Sequence, residues 1–221
     1  MASLRGRVLL ITGASRGIGK AIALRAAVDG AAVVVAAKSV REHPKLGGTI
    51  HSAAQEIEAA GGEALAVRCD VRKDDEVAAA VQAAVARFGR LDSLVNNAGA
   101  ISLTGTLQTG MRYYDRIFEV NARGAWICAQ HALPHLLKSD NPHVLNISPP
   151  LNWDPRWLAP HAAYTLSKYT MSAWVLAWSA EFAEQGLAAN ALWPRTTIAT
   201  CLLYTSPSPR DRTRYRMPSS A

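Results

Sequence analysis

Tyr164 and Lys168 stand four positions apart in "HAAYTLSKYTMSAW", residues 161 to 174. On a helix that spacing stacks both side chains on one face, a phenol beside an ammonium. A phenol ordinarily keeps its proton up to a pH of about 10, and a nearby cation favours its release. Such a pair can exchange a proton with a substrate oxygen. The spacing alone serves equally well for packing, so the surrounding chain has to decide.

A second group of residues points to a cofactor. "TGASRGIG", residues 12 to 19, has glycines at 13, 17 and 19, follows the apolar run "RVLLITGA" and opens a helical pattern at Gly17. Gly13 permits a tight turn, while Gly17 and Gly19 let backbone approach a pyrophosphate. The helix N-terminus adds free N–H donors and partial positive charge. Ser15, Arg16 and Ile18 complete the loop. In strand-turn-helix context this is a dinucleotide site, although its spacing is GxxxGxG where the common fingerprint is GxGxxG.

Cofactor choice is read at the end of the next apolar run, where an acid that bonds the ribose hydroxyls favours NAD. Here the chain reads "VVVAAKS", and no acid is present. Lys38 and Arg16 can both meet a 2′-phosphate, which points to NADP(H).

The elements that must position these groups follow from patterning. Apolar runs at 7–14, 31–37, 63–70, 91–99, 143–148 and 187–194 alternate with helical patterns from 17, near 50–60, from 74, over 110–138 and over 161–185. Several of the helical patterns close on glycine, at Gly30, Gly61 and Gly89. Strict alternation with near-continuous apolar strands predicts an α/β fold: a doubly wound, Rossmann-like parallel sheet in one domain.

Composition sets the class. The 221 residues are 49% hydrophobic and 19% charged, enough for one full-sized core. No run of 18 apolar residues suggests a membrane span, so a soluble, cytoplasmic protein without a membrane partner is expected. Cys69, Cys128 and Cys201 lack metal or disulfide spacing. His131 and His135 sit at i, i+4 without an evident third ligand, so no metal is expected. The net charge is +7, of which +3 falls in residues 201–221. Without an accompanying nucleic-acid motif, no nucleic-acid partner is expected.

Four motifs in order, "TGASRGIG", "NNAG" (96–99), "VNARG" around Asn121 and "YTLSK", resemble the short-chain dehydrogenase/reductase family over residues 7–200. The combination with "LNISPPLNW" and "NALWPRT" is more closely similar to the hydroxysteroid dehydrogenase-like protein 2 group. The resemblance implies hydride transfer between NADP(H) and a carbonyl or secondary alcohol, with a small-molecule substrate, lipid-like in that group. It assigns Tyr164 as proton donor and acceptor, and Lys168 as its activator and a holder of the nicotinamide ribose. Asn121 would support a water-mediated proton relay. Asn96, Asn97, Ala98 and Gly99 would shape the cofactor pocket, and Asp70 would lie near the adenine.

Ser148 departs from the pattern. The family's substrate-orienting serine usually lies thirteen residues before the tyrosine, whereas Ser148 lies sixteen before and is followed by Pro149 and Pro150. Either a longer "PPLNWDPRWLAPH" loop lets Ser148 reach the substrate, or proline takes the usual place and the oxygen is held otherwise. A cofactor-binding module without turnover, and an inactive fragment, are the competing readings.

The family pattern stops near Thr200. Residues 201–221, "CLLYTSPSPRDRTRYRMPSSA", offer neither helix nor strand face and read as a foreign tail on an incomplete domain. The expected consequences are a missing last strand, a bare sheet edge, an open substrate cleft and marginal stability. A homo-oligomer is expected of the complete family member and is doubtful for this chain.

Overall fold

A computed structural model describes residues 3–194 except 43 and 45. The expectations about residues 201–221 lie outside the described residues. Six parallel strands form one sheet among the described residues: β1 (Val8–Thr12), β2 (Ala32–Ala37), β3 (Glu63–Arg68), β4 (Ser93–Asn96), β5 (His143–Ile147) and β6 (Ala188–Leu192). Their order is β3-β2-β1-β4-β5-β6. The direction of winding reverses at β1, which sends successive crossovers to opposite faces.

Period-two alternation divides each central strand between two cores. Leu9 and Ile11 of β1 join Val33 and Val35 of β2 against α1 (Gly17–Val28) and α2 (Ile50–Ala59). Val8 and Leu10 join Val34 and Ala36 on the other face. There they meet α3 (Asp74–Phe88), α5 (Gly124–Leu136) and Trp178 of α7 (Ala162–Glu181). The residues α3 and α5 press onto the sheet include Ala80, Ala84, Ala129 and Ala132, small enough for close helix-sheet approach. β6 is the outermost strand of the described sheet, and Leu192 at its end is 47% exposed.

The predicted helix over 110–138 is not continuous. α4 (Met111–Ile117) passes into a π turn at Phe118–Arg123 before α5 begins, and Asn121 sits inside that turn, fully buried. A one-residue widening of the ladder leaves no mark in apolar periodicity, and such turns gather at functional sites. A short helix, α6 (Pro155–Leu158), appears in the loop before α7 with Asp154 capping it through Arg156 N–H.

Asp92 fastens the amino ends of the strands. Its carboxylate accepts from Arg90 Nη2 (2.6 Å), Ser139 Oγ (2.5 Å), the Val8 backbone N–H (2.9 Å) and Arg7 Nη1 (3.2 Å), and its side chain is 1% exposed. Burial pushes the Asp92 carboxyl up, but these donors outweigh it and hold it below the usual carboxylate range.

Candidate active site

All the candidate residues except those carried by the helical layer lie where the strands end. β1 runs into the loop at Gly13, β2 into Lys38, β3 toward Asp70, β4 into Asn97 and β5 into Ser148. This carboxyl edge, at the point where strand order reverses, is where α/β sheets bind ligands.

The phosphate loop is built on contacts from far along the chain. Gly13 has φ +67°, and a Cβ there would lie 2.9 Å from Ala98 Cα. Asn97 donates Nδ2 to the carbonyls of Thr12 (2.9 Å) and Gly13 (3.2 Å), and the N–H groups of Asn97 and Ala98 both donate to Thr12 Oγ1. A Cβ at Gly19 would meet Asn97 Nδ2 at 2.4 Å. The third glycine therefore makes room for the Asn97 clamp, a need the sequence reading had assigned to pyrophosphate approach.

The first turn of α1 is left open. Its cap residue, Arg16, makes no capping side-chain bond, and no acid occupies the first turn. The helices that follow β2 and β3 differ: Thr49 and Ser52 form a reciprocal capping box on α2, and Asp74, Asp75 and Glu76 crowd the start of α3, whereas α5, which continues the π turn, and α7 share the lack of a cap and of a first-turn acid. Orphan N–H donors with unopposed positive dipole fit an anionic group.

At the end of β2, Arg16 Nη2 donates to Ser39 Oγ (2.7 Å) and to the Gly48 carbonyl (3.0 Å), while Lys38 is exposed. Asp70 is held in a bidentate grip by Arg72, which lowers its carboxyl to about 2. Arg72 was not anticipated, although an arginine two residues after an acid is a local signal open to reading.

The proton-handling groups gather on α7 and the π turn. Lys168 lies one turn beyond Tyr164, is 8% exposed, and donates Nζ to the Ile147 carbonyl at 2.6 Å. Burial pushes its amine down to about 8. Tyr164 is half-buried. Asn121 Oδ1 accepts from the Ala100 N–H (2.8 Å), and its Nδ2 donates to the Ala100 carbonyl and to Ser167 Oγ, each at 2.9 Å. Ser167 in turn donates to the Tyr164 carbonyl (2.7 Å), so Asn121 is tied to the backbone of the tyrosine itself.

Ser148 is enclosed, with no exposed surface, and its Oγ lies 2.9 Å from Ser172 Oγ of α7. In this arrangement its hydroxyl faces the helix. A concavity of about 870 Å³ lies elsewhere: it runs between α1 and strands β4 and β5, and its lining includes Leu9, Val95, Leu145, Arg16 and Gly48. Neither Tyr164 nor Lys168 lines it.

Comparison with known proteins decides the lineage. The family described as short chain dehydrogenase matches residues 7–206. The chain belongs to the short-chain dehydrogenase family. Hydroxysteroid dehydrogenase-like protein 2 of Danio rerio is 56% identical over 200 residues, which cover 90% of this chain and 48% of that protein. The human protein of the same name is 53% identical over the same length. The chain thus spans about half the length of these curated relatives. Among solved structures, a Xanthomonas campestris protein is 58% identical with a TM-score of 0.88, over 90% of this chain and 73% of that one. A metagenomic short-chain oxidoreductase in complex with NADP is 32% identical, TM-score 0.78, over 90% and 87% of the two chains. A Mycobacterium paratuberculosis short-chain dehydrogenase bound to NAD is 25% identical, TM-score 0.77, over 88% and 74%.

No helix among the described residues is long and apolar enough to cross a membrane, and no group of three or more His, Cys, Asp or Glu among them is placed to hold a metal. Cys69 and Cys128 are buried, and burial raises both thiols, Cys69 to about 12, which makes them poor nucleophiles.

Proposed function

We propose that the protein is an NADP-dependent oxidoreductase that interconverts a carbonyl compound and a secondary alcohol, with a lipid-like substrate as the favoured class. The observation that carries this reading is Lys168: a buried amine, one turn from Tyr164, seated on a strand carbonyl rather than against a carboxylate. A cation kept there favours proton loss from a neighbouring phenol. Tyr164 would pass its proton to the substrate oxygen in reduction and take it back in oxidation. Asn121, fixed through Ala100 and Ser167, would hold the helix backbone around Tyr164 and support the relay that returns the proton. A bound nicotinamide supplies or accepts the hydride.

Gly13, Ser15, Gly17, Ile18 and Gly19 would hold the pyrophosphate against the open first turn of α1, with Asn97, Ala98 and Gly99 as the opposite wall. Asp70 would face the adenine. Arg16 and Lys38 would take a 2′-phosphate, and the NADP-bound relative supports that preference, while the NAD-bound one shows that the fold alone does not fix it. Lys38→Asp is expected to weaken NADPH binding about tenfold or more and to reverse its order with NADH. Equal dissociation constants for both cofactors in the unmodified protein would end the NADP assignment. A panel of ketones and aldehydes with NADPH oxidation as readout tests the activity.

The enclosure of Ser148 favours one second reading, a cofactor-binding module without turnover. Tight NADPH binding with no activity across the panel would select it.

Against the doubt that the end of the chain raises, the exposed faces of α5 and α7 support pairing with a second copy of the chain. Between Ala162 and Ala180 the only charged residue of α7 is the buried Lys168, while Leu166, Ala173, Leu176, Ala177 and Ala180 are exposed. On the adjacent α5, Trp126 is 40% exposed and packs its ring, tilted by 53°, with its centroid 4.8 Å from that of Trp174 of α7. Solvated helices carry polar residues on the outer face, and an uncharged outer stripe supports an interface. Leu176→Glu with Trp126→Glu is expected to convert a dimer to a monomer in light scattering. A monomer before substitution would contradict the pairing.

A further inference from the structure

Four consecutive residues at the end of β5 are each bonded to α7. Asn146 Nδ2 donates to the Met171 carbonyl (2.7 Å), Lys168 Nζ donates to the Ile147 carbonyl (2.6 Å), Ser148 Oγ lies 2.9 Å from Ser172 Oγ, and Ser172 Oγ donates to the Pro149 carbonyl (2.5 Å). A hydroxyl has one proton to give. That of Ser172 is directed between Ser148 Oγ and the Pro149 carbonyl, both of which face it as acceptors. Both side chains are enclosed, Ser148 with no exposed surface and Ser172 at 5%.

This arrangement fixes two things at once. It sets the height of α7 along the strand, because Met171 is bonded one residue before Ile147, at Asn146, and Ser172 one and two residues after it, at Ser148 and Pro149. It also turns the helix so that Lys168, one turn before Ser172, presents its amine to Ile147. We propose that Ser172, acting with Ser148, is a positioning residue for Lys168: the serine pair locks the register of α7 against β5 and thereby places the cation beside Tyr164. The role of Lys168 in turnover rests on the oxidoreductase reading above. The lock itself is a property of the free protein.

The test uses the full chain carrying Ser148→Ala, Ser172→Ala and both together. Two readouts are needed. One is the titration midpoint of Lys168, followed by NMR on protein with labelled lysine side chains and no cofactor or substrate, with Lys168→Arg identifying the signal. The other is NADPH oxidation, separated into kcat and KM across pH. Loosening the lock admits water to the amine, so either single variant is expected to move the Lys168 midpoint up from about 8 toward the ordinary lysine range. In turnover, kcat should fall about tenfold or more, with KM for NADPH within about threefold, as for a catalytic group displaced by a fraction of an ångström. The double variant should be no worse than Ser172→Ala alone, because that substitution already removes the bond between the two serines.

An unmoved Lys168 midpoint with unchanged kcat in Ser172→Ala overturns the proposal, as does strict additivity of the two substitutions. Should Ser172→Ala unfold the chain, Ser148→Ala, which leaves the Ser172–Pro149 bond in place, decides by the same two readouts. Failure of the oxidoreductase reading leaves a different signature: Lys168 would still shift in the variants while no variant, and not the unmodified protein, turned over substrate.

Discussion

Replacing Tyr164 by phenylalanine is expected to abolish turnover while leaving the dissociation constant for NADPH within a few fold. Only the hydroxyl is removed, and that hydroxyl is assigned to the reacting oxygen, so its loss should appear in kcat rather than in cofactor affinity. A positioned acid of this kind contributes about 10²–10⁴-fold, and the upper end is expected because the buried amine of Lys168 lies one turn along the same helix. Lys168→Ala should act differently, damaging both turnover and NADPH binding, since that side chain is also expected to hold the nicotinamide ribose. Single-turnover kinetics and a fluorescence titration with NADPH measure the two effects separately. A Tyr164→Phe protein with substantial activity would mean that another acid does the work.

The second large effect concerns stability and lies at the opposite end of the sheet. Asp92→Ala strips the acceptor from Arg90, Ser139, Arg7 and the Val8 N–H together. The arginines can turn to water, but the strand N–H and the serine are left beside a buried gap. A loss of about 2–4 kcal/mol is expected, which in a chain of this size lowers Tm by roughly 5–15 °C. The pH dependence has a definite sign. The Asp92 carboxyl is held below its usual range in the folded protein, so its contribution is fully present above the unfolded value of about 4 and is lost as pH falls through the lowered folded value. The Tm gap between the unmodified protein and Asp92→Ala should therefore be constant near neutrality and close below pH ~4. A gap that widens in acid would show that Asp92 is not the ionised hub described.

The sheet and its two helical layers were legible because burial on both faces writes itself into local sequence. "VLLIT" and "AVVVAA" are apolar throughout, and helical patterns between the strands close on glycine. The phosphate loop and the Tyr164–Lys168 pair were legible for the same reason, since each is a short spacing within one element. What escaped reading depends on residues remote in sequence. Nothing near Gly19 announces that Asn97 will occupy the space a side chain would need. Ser148 and Ser172 are 24 residues apart, and either alone is an ordinary serine. The break in the 110–138 helix escaped for another reason: a π turn keeps helical dihedrals and helix-forming residues, so only the hydrogen-bond ladder reveals it.

That π turn also works as a phase shifter. One additional residue within a helix rotates everything on one side of it by roughly 100° relative to the other. The buried Ile117 that ends α4 and the buried face of α5 are consequently written in two different reading phases, joined at Asn121. Removing one residue between Phe118 and Arg123 would restore a regular helix and bring the two into a single phase, yet it would swing Asn121 away from Ala100 and Ser167. The more regular helix would be the less competent one, so insertions and deletions in this six-residue window are constrained more tightly than substitutions.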